Sequence, residues 1–158
     1  MFRRVAALCA LTIATGGMAF GSATARASGG WRPDPPAYGT GLLLDQPVPM
    51  SDGTVLRVNV CYPTNAATGK VAAGGFPVLL TQTPYGKGSS CGDSYLVQRG
   101  YIFVAADVRG SGDSGGTFAL FQPQEAQDGA TLVKWAARLP HARPEVGLTG
   151  CSSWASTR

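Results

Sequence analysis

The sequence predicts an α/β fold: a mostly parallel sheet with an antiparallel β-hairpin at its front. Three observations carry this. Short apolar runs at 76–81 and 101–106, with a third at 146–150, read as buried strands. Helical patterns at 93–99 and 125–139 separate them, and 42–50 with 55–62 reads as a hairpin. Buried strands alternating with helices call for crossover connections and helices on both faces of the sheet. No internal repeat or heptad pattern competes.

Each element has a local reason. Ser51-Asp52-Gly53-Thr54 supplies turn chemistry between the hairpin strands, and in the second strand Leu56, Val58 and Val60 alternate against Arg57 and Asn59. Residues 63–75 form a loop, and Phe76 to Thr81 a continuous apolar strand. Asp93 to Arg99 makes a short helix that Gly100 can close. In the second helix Gly129, Leu132, Val133 and Ala136 recur at helical spacing, and Pro140 ends the pattern. Val146 to Gly150 is the last strand, running into a turn.

The 22 glycines and 11 prolines make up about a fifth of the 158 residues, against an average near 12%. That implies many turns, but the spacing is too aperiodic for a collagen-like chain. A hydrophobic share of 44% excludes intrinsic disorder, and the length allows one ordinary domain.

Residues 1–27 read as a cleavable secretory signal. Arg3 and Arg4 precede the apolar run Val5 to Phe20, and small residues at Ala23, Ala25 and Ala27 offer the cleavage site. Gly16-Gly17 interrupts the run, which argues against a membrane anchor. Without Arg3, Arg4 and Arg26 the net charge falls from +4 to +1, so no basic patch for nucleic acid remains. The expected product is secreted or held in the cell envelope, with no membrane partner after cleavage. Residues 28–40 form a Pro/Gly-rich leader, expected to be extended. Cys61, Cys91 and Cys151 remain, and an odd count leaves at least one thiol free or intermolecular. Spacing alone leaves a Cys61–Cys91 pair open. With one histidine and no C-x-x-C, neither a metal site nor another cofactor is expected.

Two serine motifs and a glycine loop compete for chemistry. Gly110, Gly112 and Gly115 form G-x-G-x-x-G after a strand, but the helix that would face a pyrophosphate begins only near Glu125. Gly112-Asp113-Ser114-Gly115-Gly116 matches the nucleophile loop of chymotrypsin-like proteases. There the base precedes the serine, whereas His141 follows. The reading that needs least is a glycine-rich loop at the carboxyl end of a parallel strand. Ser152 ends a strand in Gly150-Cys151-Ser152, the front half of a nucleophile elbow, with the Ser153 backbone N–H next in line for an oxyanion. An ordinary polar turn is the plainer alternative.

Five blocks together resemble the serine hydrolases of the X-Pro dipeptidyl-peptidase and cocaine-esterase type, peptidase family S15. They are M-S-D-G-T-V-L-R-V-N-V at 50–60, F-P-V-L-L-T-Q-T-P-Y-G-K at 76–87 and R-G-Y-I-F-V-A-A-D-V-R-G-S-G-D-S-G-G at 99–116. E-A-Q-D-G at 125–129 and V-G-L-T-G-C-S at 146–152 complete the set. The resemblance implies the N-terminal part of an α/β-hydrolase fold over 41–152, truncated at the nucleophile strand. It also implies attack by Ser152 on an ester or peptide carbonyl to form an acyl-enzyme. Tyr85, in T-P-Y-G-K, matches the family's oxyanion-hole tyrosine; without the resemblance it reads as a turn residue. Asp107 and Arg109 fit a structural role, as a local ion pair at a strand end. Glu125 and Asp128 read as first-turn helix acids.

The chain departs from the family after Ser152. S-Y-L-G would be expected, and Ser153 to Arg158 contains no Asp, Glu or His. Codons TCC TAC CTG GGC ATC AAC CCG G encode S-Y-L-G-I-N-P. Losing the A of TAC gives TCC TCC TGG GCA TCA ACC CGG, which reads as residues 152–158. The expectation is therefore an out-of-frame tail at 153–158 and a chain without activity; a fragmentary gene model or genuine divergence are the rivals. A secreted non-catalytic binding domain on the same scaffold is the alternative function.

Overall fold

The computed structural model describes residues 32–119 and 121–150. The expected signal segment 1–27, Ser152, Ser153 and the tail 153–158 lie outside the described residues. The strands are β1 (Gly39–Pro49), β2 (Val55–Thr64), β3 (Phe76–Thr83), β4 (Ile102–Asp107) and β5 (Ala142–Leu148), with helices α1 (Ser94–Val97) and α2 (Pro123–Ala136). One five-stranded sheet results, in the order β1-β2-β4-β3-β5. β1 pairs with β2, and β2 with β4, antiparallel; β3 pairs with both β4 and β5 in parallel. The sheet is thus mixed: the hairpin meets the parallel part through an antiparallel β2–β4 pair.

Side-chain alternation splits the core between the two faces of the sheet. Val58 and Val60 of β2, Val78 and Leu80 of β3, and Ile102 and Val104 of β4 share one face, with Leu132 and Ala136 of α2 packed on it. Cys61, Phe103 and Ala105 point to the other face, where Val97 of α1 covers them. Each of the central strands β3 and β4 needs apolar residues on both sides, which is why both read as unbroken hydrophobic runs. A disulfide between Cys61 and Cys91, with Cα atoms 5.5 Å apart, ties β2 to the loop before α1.

Boundaries differ from expectation for physical reasons. β1 begins at Gly39, inside the expected leader, because Gly39 and Gly41 let the strand pass the Thr64 side chain, where a Cβ would sit at 2.6 and 2.7 Å. The preceding residues are tied to the end of α1: Ala37 and Tyr38 donate backbone N–H groups to the Gln98 carbonyl. β5 begins at Ala142, four residues earlier than its apolar run, since among the described residues it pairs on one side only. An edge strand tolerates Arg143, Pro144 and Glu145. α2 begins at Pro123, a residue pre-set for the first helical position. Pro77 sits where the β3–β5 register shifts, the place a sheet can spare an N–H.

Candidate active site

The parallel strands β3, β4 and β5 end on the same side of the sheet, where sites in such folds collect. The turn after β3 carries Tyr85. Its backbone N–H donates to Thr83 Oγ1 at 3.1 Å, and Gly86 and Gly88 follow with φ of 89° and 70°. Tyr85 is 79% exposed, and its hydroxyl has no hydrogen-bond partner among the described residues. β5 lies beside β3 in register, Val78 against Val146 and Leu80 against Leu148, and the Thr149 N–H reaches the Leu80 carbonyl at 2.9 Å. The chain therefore leaves β5 alongside β3, the strand that runs into the Tyr85 turn, with Ser152 four residues beyond Leu148 in the sequence. Ser152 and Ser153 themselves lie outside the described residues.

Next to Tyr85 sits a cluster the motifs alone do not reveal. The Lys87 side chain is 1% exposed, and its Nζ lies 2.9 Å from Asp107, 2.6 Å from Asp113 and 2.7 Å from Asp45. Burial works against the ammonium charge, but hydrogen bonds to Asp113, Asp45 and Asp107 outweigh it and hold Lys87 above its ordinary pKa. The same contact draws Asp113 below the usual carboxylate range. Asp107 also accepts the backbone N–H groups of Lys87 and Asp113, at 2.6 and 3.0 Å. Asp45 comes from a bulge in β1, where the register shifts between Leu43 and Gln46 and Asp45 itself takes a φ of 52°.

The glycine-rich loop after β4 is built around these carboxylates. At Gly112, with φ of 50°, a Cβ would run into the Asp107 carboxylate, so only glycine passes. Ser114 donates its hydroxyl to the Asp107 carbonyl at 2.7 Å and accepts the Arg57 N–H at 2.8 Å, while the Gly115 N–H bonds the Val55 carbonyl. The loop is stapled to the hairpin, with no helix opening at its last glycine, and Ser114 is occupied by backbone.

Arg109 does not pair with Asp107, correcting the expected local ion pair. It reaches across to α2 and to the hairpin turn. Its Nε and Nη2 each donate to Asp128 at 2.8 Å, and its Nη1 donates to Asp52 and Thr54 Oγ1 at 2.7 Å. Hydrogen bonding to Arg109, helped by the Thr54 N–H, lowers the Asp52 pKa to about 2. Asp128 is therefore a buried partner in the second turn of α2 rather than a first-turn acid. Glu125 does act at the first turn, accepting the Phe121 N–H at 2.8 Å. A cavity of about 260 Å³ borders this pair between Leu56, Gln82 and the start of α2; Tyr85 does not line it. His141 lies at the amino end of β5, about 25 Å of strand from Tyr85. That excludes it as a base for this site.

Charged residues of the five sequence blocks thus join separate segments in two groups, Asp52, Arg109 and Asp128 in one and Lys87, Asp107 and Asp113 in the other. The family model of the X-Pro dipeptidyl-peptidase (S15 family) matches residues 52–158. The chain belongs to the S15 family. Solved structures are similar to it in fold. A CocE/NonD family hydrolase from Staphylococcus aureus, 26% identical, matches with a TM-score of 0.62 over 73% of this chain and 24% of its own. An aminopeptidase from a marine-sediment Thaumarchaeota archaeon (22% identical, TM-score 0.60) covers 80% of this chain and 24% of its own. An alpha-amino acid ester hydrolase (24%, 0.59) covers 87% and 25%; these last two share the fold. The S15 chain spans about a quarter of the length of these structures. No curated protein matches it.

Proposed function

We propose that this S15 chain carries the front part of a serine hydrolase that transfers acyl groups from ester or peptide bonds. Ser152 is the nucleophile; the Tyr85 hydroxyl and the Ser153 backbone N–H form the oxyanion hole. The supporting observation is Tyr85: an exposed side chain, its hydroxyl without a partner among the described residues, on the turn after β3 and beside the strand that leads into Ser152. One such donor is worth about 3 kcal/mol of barrier in a site shielded from water. The substrate is a small ester or peptide. Export is supported by the pattern of residues 1–27 and by the Cys61–Cys91 disulfide, a bond that persists in oxidising compartments.

A triad of this fold takes its acid and base from beyond the serine. Residues 153–158 hold neither, so the 158-residue chain alone is expected to turn over no p-nitrophenyl ester. Turnover by it that Ser152→Ala abolishes would refute this inactivity. The hydrolase reading is tested by appending the downstream alternate-frame sequence. The extended protein should hydrolyse the ester, lose all turnover with Ser152→Ala, and lose about 10²-fold in kcat with Tyr85→Phe. A soluble, folded, monomeric chain that gains nothing on extension would favour a binding domain instead.

A further inference from the structure

The turn bearing Tyr85 is held far more firmly than an exposed, glycine-rich turn needs to be. Gly86 and Gly88 give the backbone freedom, and the Tyr85 side chain is largely in solvent. Against that freedom stand fixed anchors within a few residues. Lys87 binds Asp107 twice, through its N–H at 2.6 Å and its Nζ at 2.9 Å. The Gly88 carbonyl accepts Asn59 Nδ2 at 2.9 Å, and the Asn59 Oδ1 accepts the N–H of Asp45, itself a Lys87 partner. Cys91 is bonded to Cys61. The anchors come from β1, β2, β4 and the glycine loop, while the Tyr85 side chain between them is left largely in solvent.

We propose that Lys87 is a positioning residue for the Tyr85 hydroxyl: its ammonium, gripped by Asp45, Asp107 and Asp113, fixes the turn two residues after Tyr85 and so fixes where that hydroxyl stands. This rests on the oxyanion reading of Tyr85. A flexible donor would have to be ordered during the reaction, at a cost in conformational entropy, whereas one held in advance is ready as charge develops. A lysine suits the task because three rotatable donors can satisfy three carboxylates at once. The Asp45 bulge and the glycine at 112 are the two backbone devices that bring those carboxylates within reach.

The test is backbone relaxation and amide exchange on the whole 158-residue chain, comparing wild type with Lys87→Met. Tyr85 should move from an order parameter near 0.85 to below about 0.6. Exchange at 85–88 should rise at least tenfold, while the Asn65–Lys70 turn, remote from the cluster, stays unchanged. The Tyr85 ring resonance, assigned with Tyr85→Phe, should sharpen towards that of a free tyrosine. A folded Lys87→Met with Tyr85 still ordered overturns the proposal. Should that variant not fold, Asp113→Asn removes one exposed partner only: added mobility reaching Tyr85 supports the clamp, and mobility confined to 110–116 overturns it. None of these readouts uses catalysis. An extended protein that is inactive while Tyr85 stays rigid would therefore count against the hydrolase reading and not against the clamp.

Discussion

Replacing Arg109 by methionine isolates the ion pair that joins the hairpin turn to α2. The substitution keeps the aliphatic stem and removes two 2.8 Å bonds to Asp128 and the bonds to Asp52 and Thr54. Breaking a buried pair by deleting one partner costs about 3–5 kcal/mol, because the other charge is left uncompensated. Asp128 is 3% exposed, but it retains the Gln124 amide at 3.1 Å and borders the 260 Å³ cavity, through which water can reach it. The lower end, about 3 kcal/mol, is therefore expected. For a folded unit of this size that is a fall in Tm of about 12 °C. Urea denaturation of wild type, Arg109→Met, Asp128→Asn and the double variant gives the coupling energy. Removing the stranded charge in the double variant should recover about 2 kcal/mol. The exposed Asp52 reports separately: its carboxyl should climb from about 2 towards its ordinary 3.8 in Arg109→Met. Stability within 0.5 kcal/mol of wild type (roughly the scatter of neutral surface changes), with Asp52 still titrating near 2, would refute the reasoning.

Three further outcomes are expected. Replacing Cys61 and Cys91 together by serine opens a cross-link spanning 30 residues and should cost about 3.5 kcal/mol, read as the difference from wild type in non-reducing urea titrations. Gly112→Ala and Gly53→Ala both place a side chain at positive φ, but only the first meets the Asp107 carboxylate. Gly53→Ala should therefore cost about 1 kcal/mol and Gly112→Ala at least about 2 kcal/mol more, in the same assay. Asp52 and Asp113 both titrate below their unfolded value of 3.8, so the stability they add is present above that pH. It should drain away as pH falls towards about 2, visible as a declining Tm that is shallower in Asp113→Asn.

Much of the fold could be read from the chain, because apolar runs such as 78–80 and 102–106 are forced by burial on two faces. The start of β5 could not be. Arg143, Pro144 and Glu145 carry a loop's composition, and only their place at the sheet edge makes them strand. Around the proposed site, what was legible is the scaffold: a turn after β3 carrying Tyr85 and a strand, β5, ahead of Ser152. Lys87 was not, since a lysine between two glycines looks solvated, and its burial depends on carboxylates from β1, β4 and the glycine loop. Arg109 and Asp128 were visible as charges, but their pairing depends on where α2 lands against the sheet. A spacing of 19 residues does not disclose that.

The strand order has a consequence in time. β4 lies between β2 and β3, yet it is made after both, and after both cysteines of the disulfide. If oxidation joins Cys61 to Cys91 while the chain is still emerging, it ties a ring around an unfilled slot. β4 must then enter between two segments already fastened to each other. Its six buried residues are what the slot is shaped to receive, and until they arrive β2 and β3 each show a raw edge to their surroundings. The order of bond formation and strand arrival thus becomes a matter for whatever oxidant and chaperone meet the chain first.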